Sequence, residues 1–209
     1  PDGTEDMCAN GLRCSARVFA ELKDVNKALF RVETIAGIKE VEIIDRRDWI
    51  VKANLGEPSL KSEDIPVPLG FSPIVDYPLV VKDKIFNATI LSTGTPHSVI
   101  FYGDLSDDVF ERYSPLIENH SLFQCRTSVI WVTEECPDEL KIRIWERGVG
   151  ETLGCGTGAC AAVVAKVLKD DKKTSYNVTS KGGTLYVEWK DKKDLHLSGK
   201  VEKVYEGII

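Results

Sequence analysis

Two cysteines head nearly the same short motif in two distant parts of this chain. Met7-Cys8-Ala9-Asn10-Gly11-Leu12-Arg13-Cys14 stands near the start, and Gly154-Cys155-Gly156-Thr157-Gly158-Ala159-Cys160 returns far downstream. Each reads cysteine, small residue, small polar residue, glycine, and each runs into an alanine-containing amphipathic stretch. The pattern predicts that each thiol sits where a loop becomes a helix, among unpaired N–H groups and at the positive end of the helix dipole. A thiol placed so can have its pKa lowered from about 8.5 into roughly the 3.5–7.5 range. Two such thiols on two similar scaffolds would put one proton-transfer group on each side of a single substrate.

That arrangement suits removal of the α-proton of an amino acid, a very weak carbon acid. Most enzymes spread the resulting charge into a pyridoxal ring held by a lysine. The sequence has no glycine-rich phosphate cradle with a partner lysine, so the expected route uses no cofactor. It needs a thiolate on one face, a thiol on the other, and electrostatic support for the carboxylate. The N–H groups of residues 9–11 and 156–158 could converge there, because Ala9, Gly156 and Gly158 let the backbone approach closely.

The rest of the composition narrows the class. With 209 residues the chain is one large domain or two small ones, and 43% hydrophobic with 29% charged residues is ordinary for a soluble globular protein. A net charge of −6 offers no electrostatic reason to bind nucleic acid or an anionic membrane, and no apolar run approaches the roughly 20 residues of a membrane span. Six cysteines in a chain neither short nor loop-dominated read as reduced thiols of a cytoplasmic protein. No metal is expected: only Cys155 and Cys160 approach a ligand pair, and His97, His120 and His196 lie far apart.

Periodicity predicts helices over 11–28, 105–117 (capped by Asp104 or Ser106) and 157–168. Strands are predicted over 29–35, 38–44, 49–53, 84–92, 98–102, 127–133, 140–146, 177–190 and 195–205, with Gly182-Gly183 and Ser198-Gly199 as turns. Pro66, Pro68, Gly70, Pro73 and Pro78 mark a linker or crossover. The expected class is α+β, two pseudo-symmetric lobes, each a mostly antiparallel sheet wrapped around a central helix. The first lobe is expected over 1–58, with 196–209 returning to it, and the second over 59–195. Cys155 is preceded by far more strand-rich sequence than Cys8, so an internal duplication implies that part of the first lobe lies upstream of Pro1.

The Met7–Cys14 motif, Gly94-Thr95-Pro96-His97, and the run from Arg143 through Glu146-Arg147-Gly148-Val149-Gly150-Glu151-Thr152 to Cys160 closely resemble diaminopimelate epimerases. The resemblance extends from Pro1-Asp2-Gly3 to Val204-Tyr205-Glu206-Gly207. It implies a cofactor-independent epimerase that interconverts LL- and meso-diaminopimelate in a cleft between two lobes, and it implies a homodimer. Cys8 and Cys155 would be the acid/base thiols. Ala9, Asn10, Gly156 and Thr157 would hold the reacting carboxylate, and His97 would support catalysis. Glu146 would serve catalysis and hold substrate, Arg147 would fork the distal carboxylate, and Tyr205 would lie at the dimer interface. Ala9, Thr95 and Ser128 stand where the family pattern has Gly, Asn and Asn. The two hydroxyls, at the distal substrate end, reach less far and offer one donor instead of two. They leave open a related racemase of another amino acid. Also open are an inactive fragment or binding module of this fold, and a phenazine-pathway-type isomerase, for which both cysteines would not be needed.

Overall fold

The two motifs start two helices. A computed structural model of the protein describes residues 7–23, 26, 28–170 and 173–207. Helix α1 (Ala9–Leu22) begins directly after Cys8, and α3 (Gly156–Asp170) directly after Cys155. Between them α2 (Asp107–Glu118) is capped by Ser106, whose Oγ accepts the Val109 N–H at 3.2 Å, with Asp107 and Asp108 in the first turn.

The strands are β1 (Leu29–Thr34), β2 (Gly37–Asp45), β3 (Ile50–Gly56), β4 (Ile74–Val81), β5 (Lys84–Ser92), β6 (Pro96–Phe101), β7 (Ser128–Glu135), β8 (Glu139–Glu146), β9 (Gly150–Thr152), β10 (Ser175–Ser180), β11 (Gly183–Trp189) and β12 (Leu195–Lys200). They form one sheet in the order β1-β2-β3-β12-β11-β10-β8-β7-β6-β5-β4, with β9 on β8. Among the described strands only β6–β7 and β8–β10 pair in parallel. The α+β class with mostly antiparallel sheet is therefore what the chain forms.

Alternation assigns the faces. Along β7, Ile130 and Val132 point into the core shared with α1 and α3, while Val129 and Trp131 point into a second core under α2. β5 and β6 divide likewise, with Leu91 and Val99 on the α3 side and Ile90 and Ile100 on the α2 side. These strands are covered on both faces, which is why they read as near-continuous apolar runs. From Gly156 to Ala165 every residue of α3 is buried, as expected of a helix enclosed by sheet. The α1 helix is one-sided: Leu12, Ala16 and Ala20 are buried, whereas Phe19 and Leu22 are exposed, and the charged Arg13 is buried.

Several sequence expectations need correction. Predicted helix 11–28 ends at Leu22, and part of its remainder lies outside the described residues, as do residues 1–6, 208 and 209. The proline-marked segment contains β4, an edge strand in which Pro78 pairs with Asn87 without needing a donor on its open side. Ser198-Gly199 is no turn but the middle of β12, with Ser198 opposite Tyr186 and Gly199 opposite Val51. A side chain at 199 would meet the Arg13 guanidinium, so glycine there serves close packing. Predicted strand 177–190 is the β10–β11 hairpin, turning at Lys181-Gly182, one residue before the expected Gly182-Gly183, so that Gly183 opens β11; the chain leaves regular structure after Lys200.

Candidate active site

The duplicated motif folds into the same local geometry twice. Cys8 is the N-cap of α1, and its Sγ accepts the Gly11 N–H at 3.3 Å; Cys155 Sγ accepts the Gly158 N–H at 3.4 Å. In both, the cysteine carbonyl accepts the N–H four residues on, from Leu12 at 3.0 Å and Ala159 at 2.9 Å. The glycine three residues after each cysteine gives the sulfur room. A Cβ on Gly11 would lie 3.2 Å from Cys8 Sγ, and one on Gly158 would lie 3.4 Å from Cys155 Sγ and 2.6 Å from Ile130 Cδ1.

The two helix starts meet. A Cβ on Gly156 would stand 2.8 Å from Ala9 Cβ and 3.6 Å from Asn10 Oδ1. Around this junction opens a cavity of about 280 Å³ lined by both cysteines and by Met7, Ala9, Asn10 and Thr95. Its wall continues through Ser128, Glu146, Arg147, Gly154, Gly156 and Thr157. The first N–H groups of both helices, at Ala9, Asn10, Gly156 and Thr157, have no carbonyl within their own helix to bond. They are the donors suited to an anion in this cavity.

The thiols differ in surroundings: Cys8 is exposed and Cys155 half-buried. Burial pushes the Cys155 thiol pKa up, and the Glu146 carboxylate adds to the rise. The Thr157 hydroxyl, 3.2 Å from the sulfur, and the Gly158 and Thr157 amides pull the other way without reversing it. The lowered pKa expected from helix position is thus overturned at Cys155, because removing a thiolate from water outweighs the N–H donors. Cys160, inside α3, is fully buried with its pKa raised for the same reason.

The polar groups opposite the helix starts come from sheet ends and loops. Glu146 closes β8 and its Oε1 accepts the Thr152 hydroxyl across the β8–β9 hairpin. Arg147 donates its backbone N–H to Ser128 Oγ at 3.1 Å and its Nη1–H to the Cys125 carbonyl at 3.2 Å. His97 is fully buried and does not line the cavity. Its Nδ1 lies 2.7 Å from the Thr95 carbonyl, and a carbonyl only accepts, so Nδ1 carries the hydrogen. Thr93, 3.4 Å from the same nitrogen, donates its hydroxyl to the Thr157 carbonyl at 3.0 Å and thereby ties this layer to the first turn of α3. Tyr205 lies away from the cavity, 86% exposed beyond β12. Two cavity residues, Met7 and Gly154, escaped the sequence reading, although both flank the motif cysteines. Gly94 (φ +97°) marks where Met7 meets the Gly94-Thr95 turn, since a Cβ there would lie 3.0 Å from Met7 Cβ.

Comparison with known proteins gives the family. Residues 89–204 match the model of the diaminopimelate epimerase family. A diaminopimelate epimerase from Pelotomaculum thermopropionicum is 40% identical over 99% of this chain and 75% of that protein. The chain belongs to the diaminopimelate epimerase family. The diaminopimelate epimerase of Methanococcus maripaludis strain C6 is 38% identical over 100% of this chain and 76% of its own length. Among solved structures, a hydroxyproline epimerase from Agrobacterium vitis superposes with a TM-score of 0.68 at 12% identity, covering 96% of this chain and 65% of that one. A phenazine biosynthesis protein of the PhzF family from Bacillus anthracis gives 0.62 at 18% identity, covering 94% and 73%. At such identities the likeness is one of fold, and it fits the pseudo-symmetric two-lobe architecture.

Proposed function

We propose that the protein interconverts LL- and meso-diaminopimelate by two-base proton transfer, with Cys8 and Cys155 as the acid/base pair. The observation that carries this reading is the convergence of two cysteine-capped helix starts on one cavity. Cys155, with its raised pKa, serves as the proton-carrying thiol in one direction, and Cys8 as the thiolate that abstracts. The α-hydrogen passes to Cys8, the Cys155 proton is delivered to the opposite face of the α-carbon, and the roles exchange in the reverse reaction. The charge that builds on carbon spreads into the α-carboxylate, which the amides of Ala9, Asn10, Gly156 and Thr157 stabilise. Arg147 forks the distal carboxylate, with Glu146, Thr95 and Ser128 as polar partners of the distal end. His97 acts from beneath, by fixing Thr95. The same reading makes the protein a cytoplasmic enzyme without a cofactor and a dimer through exposed Tyr205.

Incubation of the LL isomer in D₂O tests the reading. Deuterium entering the α-position as meso product accumulates is the expected result, with loss in both Cys8→Ser and Cys155→Ser. A wild-type protein that exchanges the α-proton of other amino acids but not of diaminopimelate would overturn the substrate assignment. It would favour the racemase to which hydroxyl-bearing Thr95 and Ser128, both facing the cavity, also fit.

A further inference from the structure

Outside the cavity, at the end of α2, one buried carboxylate gathers donors from both segments that carry the distal-end groups. Glu118 is 6% exposed. Its Oε1 accepts the backbone N–H of Gly148 at 2.7 Å and Nη1–H of Arg126 at 3.3 Å, while its Oε2 accepts Trp145 Nε1–H at 2.7 Å. Its carbonyl also accepts the Thr127 N–H at 3.3 Å. Trp145 and Gly148 bracket Glu146 and Arg147; Arg126 and Thr127 lie between Cys125 and Ser128, the two residues that hold Arg147. Gly148 adopts φ +73°, a backbone conformation that favours glycine, and lies beside the Arg126 guanidinium, within ordinary van der Waals reach of it. A buried carboxylate is tolerated when its lone pairs are met by donors, and here three distinct donors meet it.

The geometry points to Glu118 as a positioning residue that sets Arg147 and Ser128 for the distal end of the substrate. It touches no part of the cavity. This rests on the reading of Arg147 as the distal-carboxylate group, and it assigns Glu118 to recognition, not to proton transfer. A positioning role at the distal end raises KM, whereas a general loss of folding removes active molecules and lowers apparent kcat at unchanged KM.

The experiment compares full-length wild type, Glu118→Gln and Arg126→Gln by steady-state kinetics on diaminopimelate and by hydrogen exchange of the peptide spanning 145–149. In Glu118→Gln, an NH₂ must face either the Trp145 or the Gly148/Arg126 donors. KM is expected to rise by about tenfold with kcat within about twofold, and the 145–149 amides to lose protection while the α3 amides keep theirs. Arg126→Gln, at a partly exposed side chain, is expected to give a smaller KM rise in the same direction and stands in if the first variant does not fold. A fall in kcat at unchanged KM, or unchanged kinetics in both variants, overturns the proposal. If wild type does not turn over diaminopimelate, the functional reading fails and exchange alone decides. Selective loss of protection at 145–149 then upholds Glu118 as the organiser of the Arg147 loop, and unchanged or uniformly lost protection overturns it.

Discussion

At the scale of single residues, the two thiols share a capping geometry and differ in solvation. Each faces one side of an α-carbon in the two-base reading, which separates the two single variants. Elimination of HX from a β-halogenated analogue needs one proton removed and none returned, so it survives loss of one base. Cys8→Ser and Cys155→Ser should each lose most epimerisation yet retain elimination with one stereoisomer, and a different one for each. Both isomers assayed against both variants check this, and a shared preference would refute one base per face. Burial also has a thermodynamic consequence. The folded state raises the thiol pKa of Cys155 and Cys160, whereas the unfolded chain ionises its cysteines from about pH 8.5. Above that pH the unfolded state binds fewer protons, so stability should fall as pH rises. Urea midpoints at pH 7 and pH 9.5 measure the drop, and Cys160→Ala should lessen it.

At the scale of elements, the site depends on how closely α1 and α3 approach. Gly156→Ala would set a methyl 2.8 Å from Ala9 Cβ and push the helix starts apart. Overpacking of this kind costs about 1–3 kcal/mol. Because the strain falls on the proposed carboxylate site, kcat/KM should drop well beyond what the loss of stability explains. The atom in the way belongs to Ala9, so Gly156→Ala combined with Ala9→Gly should recover activity and melting temperature together. A double variant no better than the single one would mean that the approach is limited elsewhere, for instance at Leu197, which lies 3.4 Å from the same position.

At the scale of the whole molecule, β12 joins early and late chain. It pairs with β3 on one side and β11 on the other, so the sheet is continuous from β1 to β4. Leu197 in its middle is fully buried in the core that houses both cysteine-bearing helices. Leu197→Ala should therefore lower stability by about 2–5 kcal/mol in urea unfolding. Signals from the α1 and α3 regions should lose protection in hydrogen exchange together, since the strand serves both. Independent loss near α1 alone would argue that the halves are less coupled than one sheet implies.

Helix starts were legible because a cap is local: the cysteine, the small residues and the glycine three positions later serve a single turn of backbone. Most strands were legible because alternation, or a fully apolar run, reports burial directly. The sequence by itself therefore determined that two thiols would sit at two helix N-termini within an α+β fold. It could not disclose that Ser198-Gly199 is strand, because the glycine there answers to Arg13 on a distant helix. Nor could it reveal that burial raises the Cys155 pKa, or that Glu118 gathers Arg126, Trp145 and Gly148. Desolvation and convergent hydrogen bonds depend on which distant residues become neighbours, and only the tertiary structure decides that.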